Sequence, residues 1–149
     1  MELYRITAKK WAKNLVASGY PARWNSHGIY TIYTASSRAL ACLENLVHRD
    51  ITALGKLYRV SVIYVPPELN IEPLKIENLP KKWPIPWPDG YALCQTIGDK
   101  WNQDNNTVIL KVPSAIIKSE FNYLINPNHK DFSKLKIMNV EPFLFDNRL

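Results

Sequence analysis

With 149 residues, 46% of them hydrophobic and 21% charged, the chain is too apolar for disorder and long enough to bury one core without staples. The two cysteines, Cys42 and Cys94, lie far apart, which excludes a disulfide framework or a CxxC zinc site and makes a reducing cytoplasm the default. Nineteen Lys and Arg against 13 Asp and Glu give a net charge of +6. That excess suits an anionic ligand or an acidic partner, yet the bases are scattered, with short clusters at Lys9-Lys10, Lys81-Lys82 and Lys134/Lys136 and no reading helix.

The first residues hold no apolar core of signal-peptide length, and no run approaches the roughly 18 apolar residues of a membrane helix. A cytoplasmic protein without membrane contact is expected. In chain order, residues 8–18 (AKKWAKNLVAS) place Ala8, Trp11 and Leu15 on one helical stripe, with Gly19 as its stop. Residues 29–34 (IYTIYT) read as a strand of β-branched and aromatic residues. Ser36 or Ser37 then caps a helix over about 37–49. Residues 57–65 (LYRVSVIYV) form a second strand, closed by Pro66-Pro67. From Glu68 to Gly90 the chain is proline-rich and irregular, packed through Trp83 and Trp87. A helix over 91–103 carries Leu93, Ile97 and Trp101 in register. Residues 107–112 form a third strand, the NPNH of 126–129 a turn, and 135–140 and 143–145 short closing strands. These elements predict one α+β domain, a modest mixed sheet flanked by helices.

Several devices for nucleotide or hydrolytic chemistry are absent. The sequence has no GxxxxGK[ST] loop, no HExxH and no GxSxG, and its five glycines (19, 28, 55, 90, 98) cannot form GxGxxG. On the wheel of the 37–49 helix, Leu40, Leu43, Leu46 and Val47 define the buried arc, and Arg38, Asn45, His48 and Arg49 the solvated one. Glu44 falls on the boundary, where a partly desolvated carboxylate can meet a ligand; an ordinary boundary glutamate is the competing reading. Arg23 precedes a strand and can grip a diphosphate through its planar fork, or it can pin its loop. Tyr33 offers a stacking surface or a core ring. Ser114 follows a strand and a proline, where a hydroxyl can reach a ligand or merely bond its own turn. Asn126 and His129 are secondary candidates, against a side-chain-stabilised turn around Pro127. His27 and His48 read as structural or solvent-facing.

Taken together, these residues resemble the RES domain, whose name records an arginine, a glutamate and a serine. The resemblance runs through RWNSHGIYTIYTA at 23–35, ALACLENLVH at 39–48, LPKKWPIPW at 79–87 and GDKW at 98–101. It continues through LKVPSAII at 110–117, NYLINPNH at 122–129 and FDNRL at 145–149. One departure is visible: the usually glycine-rich segment before the arginine here reads Gly19-Tyr20-Pro21-Ala22. The resemblance implies an ADP-ribosyltransferase-like fold and a toxin that depletes NAD⁺, its substrate, by cleaving the nicotinamide–ribose bond through hydrolysis or phosphorolysis. It assigns catalysis to Arg23, Tyr33, Glu44 and Ser114, and ligand contact to Arg23, Asn25, Tyr33, Ser114 and Asn126, with no metal. It also implies a helix-turn-helix antitoxin as partner, DNA contact only through that antitoxin, and a toxin homodimer. The competing functions are transfer of ADP-ribose to a cellular protein and, with least support from three histidines, attack on RNA. A pure binding module would require an occluded pocket.

Overall fold

The computed structural model describes residues 1–48, 57–86 and 88–149. Arg49, Gly55 and Trp87, named above, lie outside the described residues. Among the described residues seven strands form one sheet: β1 (Glu2–Ala8), β2 (Ile32–Ala35), β3 (Tyr58–Tyr64), β4 (Ile71–Pro73), β5 (Ile109–Pro113), β6 (Phe121–Ile125) and β7 (Lys136–Phe143). Their spatial order is β4-β5-β6-β2-β1-β3-β7. Only the β4–β5 pair is parallel. Among the described residues two α-helices, α1 (Arg38–Val47) and α2 (Asp89–Asp104), complete the α+β domain. Among the described residues no helix is long and apolar enough to cross a membrane.

Both helices cover the same face of the sheet. Tyr33 and Ala35 sit two apart on β2, and so on one face; Tyr33 packs against the cluster around Trp101 of α2, and Ala35 into the cluster around Leu40 of α1. The opposite face buries Leu3, Ile32, Ile63, Ile109 and Ile125 beneath connecting segments. Where β1 should meet β2 the sheet opens: the pair shares one register position, Tyr4 against Ala35. By contrast, β1 pairs with β3 over its whole length. This fork creates the site described below.

Several expected elements change. Residues 8–18 are not a helix: β1 runs to Ala8 and only one 3-10 turn, Lys9–Trp11, follows. Trp11 is half exposed, and Leu15 and Ala17, spaced by two rather than by three or four, pack on the core instead. Strands β1 and β6 were not foreseen, nor was the short edge strand β4 within the proline-rich segment. The two closing strands are one, β7. Ser37 is the cap of α1, its side chain accepting from the Leu40 amide. Leu40 and Ala41 are the helix's buried residues, whereas Val47, assigned to the buried arc, is exposed. Leu93 of α2 is also exposed. The helix buries Gly90, Cys94, Gly98, Trp101 and Asn102; Trp101 lies in register as expected, and Ile97 packs partly buried on the same cluster.

Candidate active site

A cavity of about 460 Å³ occupies the fork between β1 and β2, within the roughly 300–1,000 Å³ of small-molecule sites. Tyr4, Arg5, Ile6 and Thr7 of β1 face Tyr33, Thr34 and Ala35 of β2 across it, and Arg23, Tyr91 and Asn122 complete its wall. Side chains alternate along β1, so the opening is lined from both faces of the sheet. Helix α1 contributes Ala41, Glu44, Asn45 and His48. Their spacing of three, four and seven defines one helical stripe. Asn45 and His48, placed on the solvated arc by the wheel, therefore face the cavity. Asn45 also donates to the Ile6 carbonyl at 3.1 Å, giving a backbone acceptor beside the fork a partner.

Glu44 is held by two donors on one oxygen. The Ser114 hydroxyl donates to Oε1 at 2.7 Å and the Asn122 amide at 2.6 Å. Ser114 Oγ in turn accepts from the Ile116 and Ile117 amides, each at 3.1 Å, which leaves its hydrogen committed to the carboxylate. Ser114 is fully buried. Its hydroxyl meets Glu44, while its neighbours Pro113 and Ala115 line the cavity. Asn122 was missed by sequence reasoning: an asparagine within an apolar strand is the signal that was available.

Arg23 and Tyr33 both line the cavity. Arg23 commits much of its fork to the 83–85 segment rather than to its own loop. Its Nη1 donates to the carbonyls of Trp83 at 2.6 Å and Ile85 at 3.2 Å, and its guanidinium stacks over Tyr91, 4.5 Å from the ring centre. The Tyr33 hydroxyl donates to Asn25 Oδ1 at 2.6 Å and accepts from the Trp24 amide at 3.1 Å. Burial pushes its ionisation far above the ordinary tyrosine range, so it stays a neutral ring.

Asn25 and Asn126, both expected at the ligand, do not line the cavity. Asn25 is buried, and its amide donates to the carbonyls of Tyr20, Ser26 and Ile29, shaping the loop behind Tyr33. Asn126 is fully buried and away from the cavity. Its amide donates to Asn102 O, a carbonyl in the last turn of α2, and to Asn105 Oδ1, while its own Oδ1 accepts from the Asn128 amide. The turn reading of NPNH thus describes what these residues do. His129 accepts from the Asp131 amide in the same turn.

Helix α2 braces the loop that carries Arg23. Gln95 donates to the Ala22 carbonyl, Asp99 accepts from the Ser26 amide and hydroxyl, and Asn102 donates to the Tyr30 carbonyl. Three buried side-chain atoms lack a partner among the described residues: Arg5 Nη1, Thr7 Oγ1 and Asn122 Oδ1. All three belong to residues lining the cavity. Buried polar atoms without a protein partner, gathered around one cavity, are groups that a ligand or water can satisfy. Among the described residues no cluster of three or more His, Cys, Asp and Glu is placed to hold a metal ion.

The RES domain family model matches residues 2–146. A protein of Sphingobium sp. named Prs ADP-ribosylating toxin is 40% identical over 85% of this chain and 79% of its own length. Proteins named Toxin Res from Yersinia enterocolitica and Photorhabdus laumondii are 36% and 35% identical, each over all of this chain and over 99% and 97% of their own lengths. With the match spanning residues 2–146 and full-length relatives above 30% identity, the chain belongs to the RES domain family.

Proposed function

We propose that the chain is the toxin of a toxin–antitoxin pair and that it binds NAD⁺ in the fork, breaking the bond between nicotinamide and ribose. The observation that carries this reading is the Glu44 carboxylate on the cavity wall, one oxygen fixed by Ser114 and Asn122. Cleaving that bond develops positive charge on the ribose, as in glycoside cleavage, and a preorganised carboxylate stabilises it. Nicotinamide enters as a cation and departs neutral, so the step needs no strong general acid and no metal. Tyr33, a neutral ring on the wall, stacks on nicotinamide. Arg5 carries a cation with an unpartnered nitrogen into the cavity wall and is better free to take the diphosphate than Arg23, whose donors are largely committed to carbonyls. Arg23 serves by adding positive charge and by locking the 83–85 segment. Water or phosphate captures the ribosyl group.

A second reading, transfer of ADP-ribose to a protein, is supported by the name of the Sphingobium relative. Both readings use the same pocket and differ only in the acceptor. The partner proposed for the chain is a helix-turn-helix antitoxin covering the NAD⁺ pocket, with DNA reached only through it; the toxin itself pairs as a homodimer in a cytoplasmic setting. The deciding experiment incubates the purified protein with NAD⁺, with and without phosphate, and follows nicotinamide and the ribosyl product by mass spectrometry. Free ADP-ribose or its phosphate supports the first reading, and labelled protein in an added cell extract supports the second. NAD⁺ left intact while RNA is cleaved removes both.

A further inference from the structure

We propose that Asn122 is the positioning residue of Glu44, an inference that rests on the NAD⁺ reading above. Asn122 stands on an inner strand, in register with Ala35 on β2 and Val112 on β5. Its neighbours across both ladders are thus small and apolar. A carboxylate only accepts hydrogen bonds, so the amide must turn Nδ2 towards Glu44 and Oδ1 away. In that orientation Oδ1 is buried without a partner. An orphaned buried acceptor costs stability, and an apolar side chain of similar size would avoid the cost. Selection for the fold alone does not place asparagine here. What asparagine supplies is one N–H at 2.6 Å from Glu44 Oε1.

That N–H acts together with Ser114. The serine lies just beyond β5 and the asparagine on β6, so the two donors reach Oε1 from different segments. One donor would leave the carboxylate free to swing about a single hydrogen bond. Two donors of separate origin fix its plane and direct Oε2, which makes no hydrogen bond among the described residues, in one direction. Electrostatic stabilisation of a developing cation depends on such a fixed orientation, because a charge that must reorganise during the step gives back much of its effect. Asn122 therefore acts on turnover more than on capture of NAD⁺.

The test compares steady-state nicotinamide release by the wild type, Asn122→Leu and Asn122→Asp across pH, with thermal melts of each protein. Asn122→Leu should melt at or above the wild-type temperature. Its kcat should fall by about 10–100-fold while KM moves less than about threefold. Asn122→Asp sets a second carboxylate within hydrogen-bond reach of Glu44, where like charges oppose full ionisation of the pair. Its acid limb of kcat should move upward by about one pH unit or more. The other titratable groups on the wall, Tyr4, Arg5, Tyr20, Arg23, Tyr33, His48 and Tyr91, are unchanged in both variants. Turnover by Asn122→Leu within about threefold of wild type, a loss that only tracks a smaller folded fraction, or an unmoved limb in Asn122→Asp overturns the inference. A wild type that releases no nicotinamide removes the NAD⁺ reading and this inference together; an active wild type with an indifferent Asn122→Leu removes this inference alone.

Discussion

The guanidinium of Arg5 stands in the middle of β1, donating through Nη2 to the Val16 carbonyl at 2.8 Å and burying Nη1 without a partner. Burial pulls it down to about 10, below the ordinary arginine range. The folded state therefore disfavours the cation at every pH below about 10, and the opposition is relieved only as pH rises above that value. At neutral pH Arg5 works against folding until an anion meets it. Arg5→Met should accordingly melt no lower than wild type at pH 7, while pyrophosphate, which raises the wild-type melting temperature by mass action, should leave the variant unmoved. An equal thermal shift in both proteins would move the anion site elsewhere. Glu44 lends itself to a complementary test. Glu44→Gln keeps size and helix propensity but removes the charge, and losing one preorganised contact of this kind costs about 10²–10³ in turnover. Growth arrest should disappear while the variant still folds, by circular dichroism, and still binds NAD⁺. Near-normal nicotinamide release by Glu44→Gln would return the residue to an ordinary boundary glutamate.

Helix α2 shows how one element sets the geometry of a site it barely touches. Its stripe Gln95, Gly98, Asp99 and Asn102 meets the backbone of residues 22–31 through hydrogen bonds and close approach. At Gly98 a Cβ would stand 1.8 Å from the Trp24 carbonyl oxygen, a backbone atom that cannot rotate aside. Gly98→Ala must push the loop off the helix. Overpacking of this kind costs about 1–3 kcal/mol, or roughly 3–10 °C in melting temperature for a domain of this size. Because Arg23 and Trp24 ride on that loop, KM for NAD⁺ should rise in the same variant. A Gly98→Ala protein with wild-type melting and KM would show that the loop is placed without the helix. The sequence made α1 legible down to its Ser37 cap, since a cap and a helical period are local. On α2 it placed Ile97 and Trp101 against the core but misplaced Leu93 and missed Gly98, whose partner is backbone some seventy residues earlier.

Across the whole molecule, the fork in the sheet brings together residues from β1, β2, β6 and α1 that share no local pattern. The net charge of +6 accompanies it without being concentrated in one tract. Lys81 and Lys82 are exposed and make no wall of the cavity. Reversing both to glutamate should leave nicotinamide release within about twofold of wild type, as expected of surface charges outside the site. A collapse of activity with the melting temperature intact would give the basic surface a part in the reaction. By itself the sequence determined the α+β class, the strands at 57–65 and 107–112, the capped helix and the RES resemblance that singled out Arg23, Glu44 and Ser114. Those features rest on period, propensity and motif, all carried by neighbouring residues. Only the tertiary structure decided that β1 parts from β2, that Ser114 and Asn122 converge on Glu44 from 70 and 78 residues away, and that Arg5 is left with an orphaned donor. It likewise placed Asn25 and Asn126 in loop and helix-end hydrogen bonds. A polar side chain's role follows from the partner opposite it once the core has closed, and burial, not sequence spacing, chooses that partner.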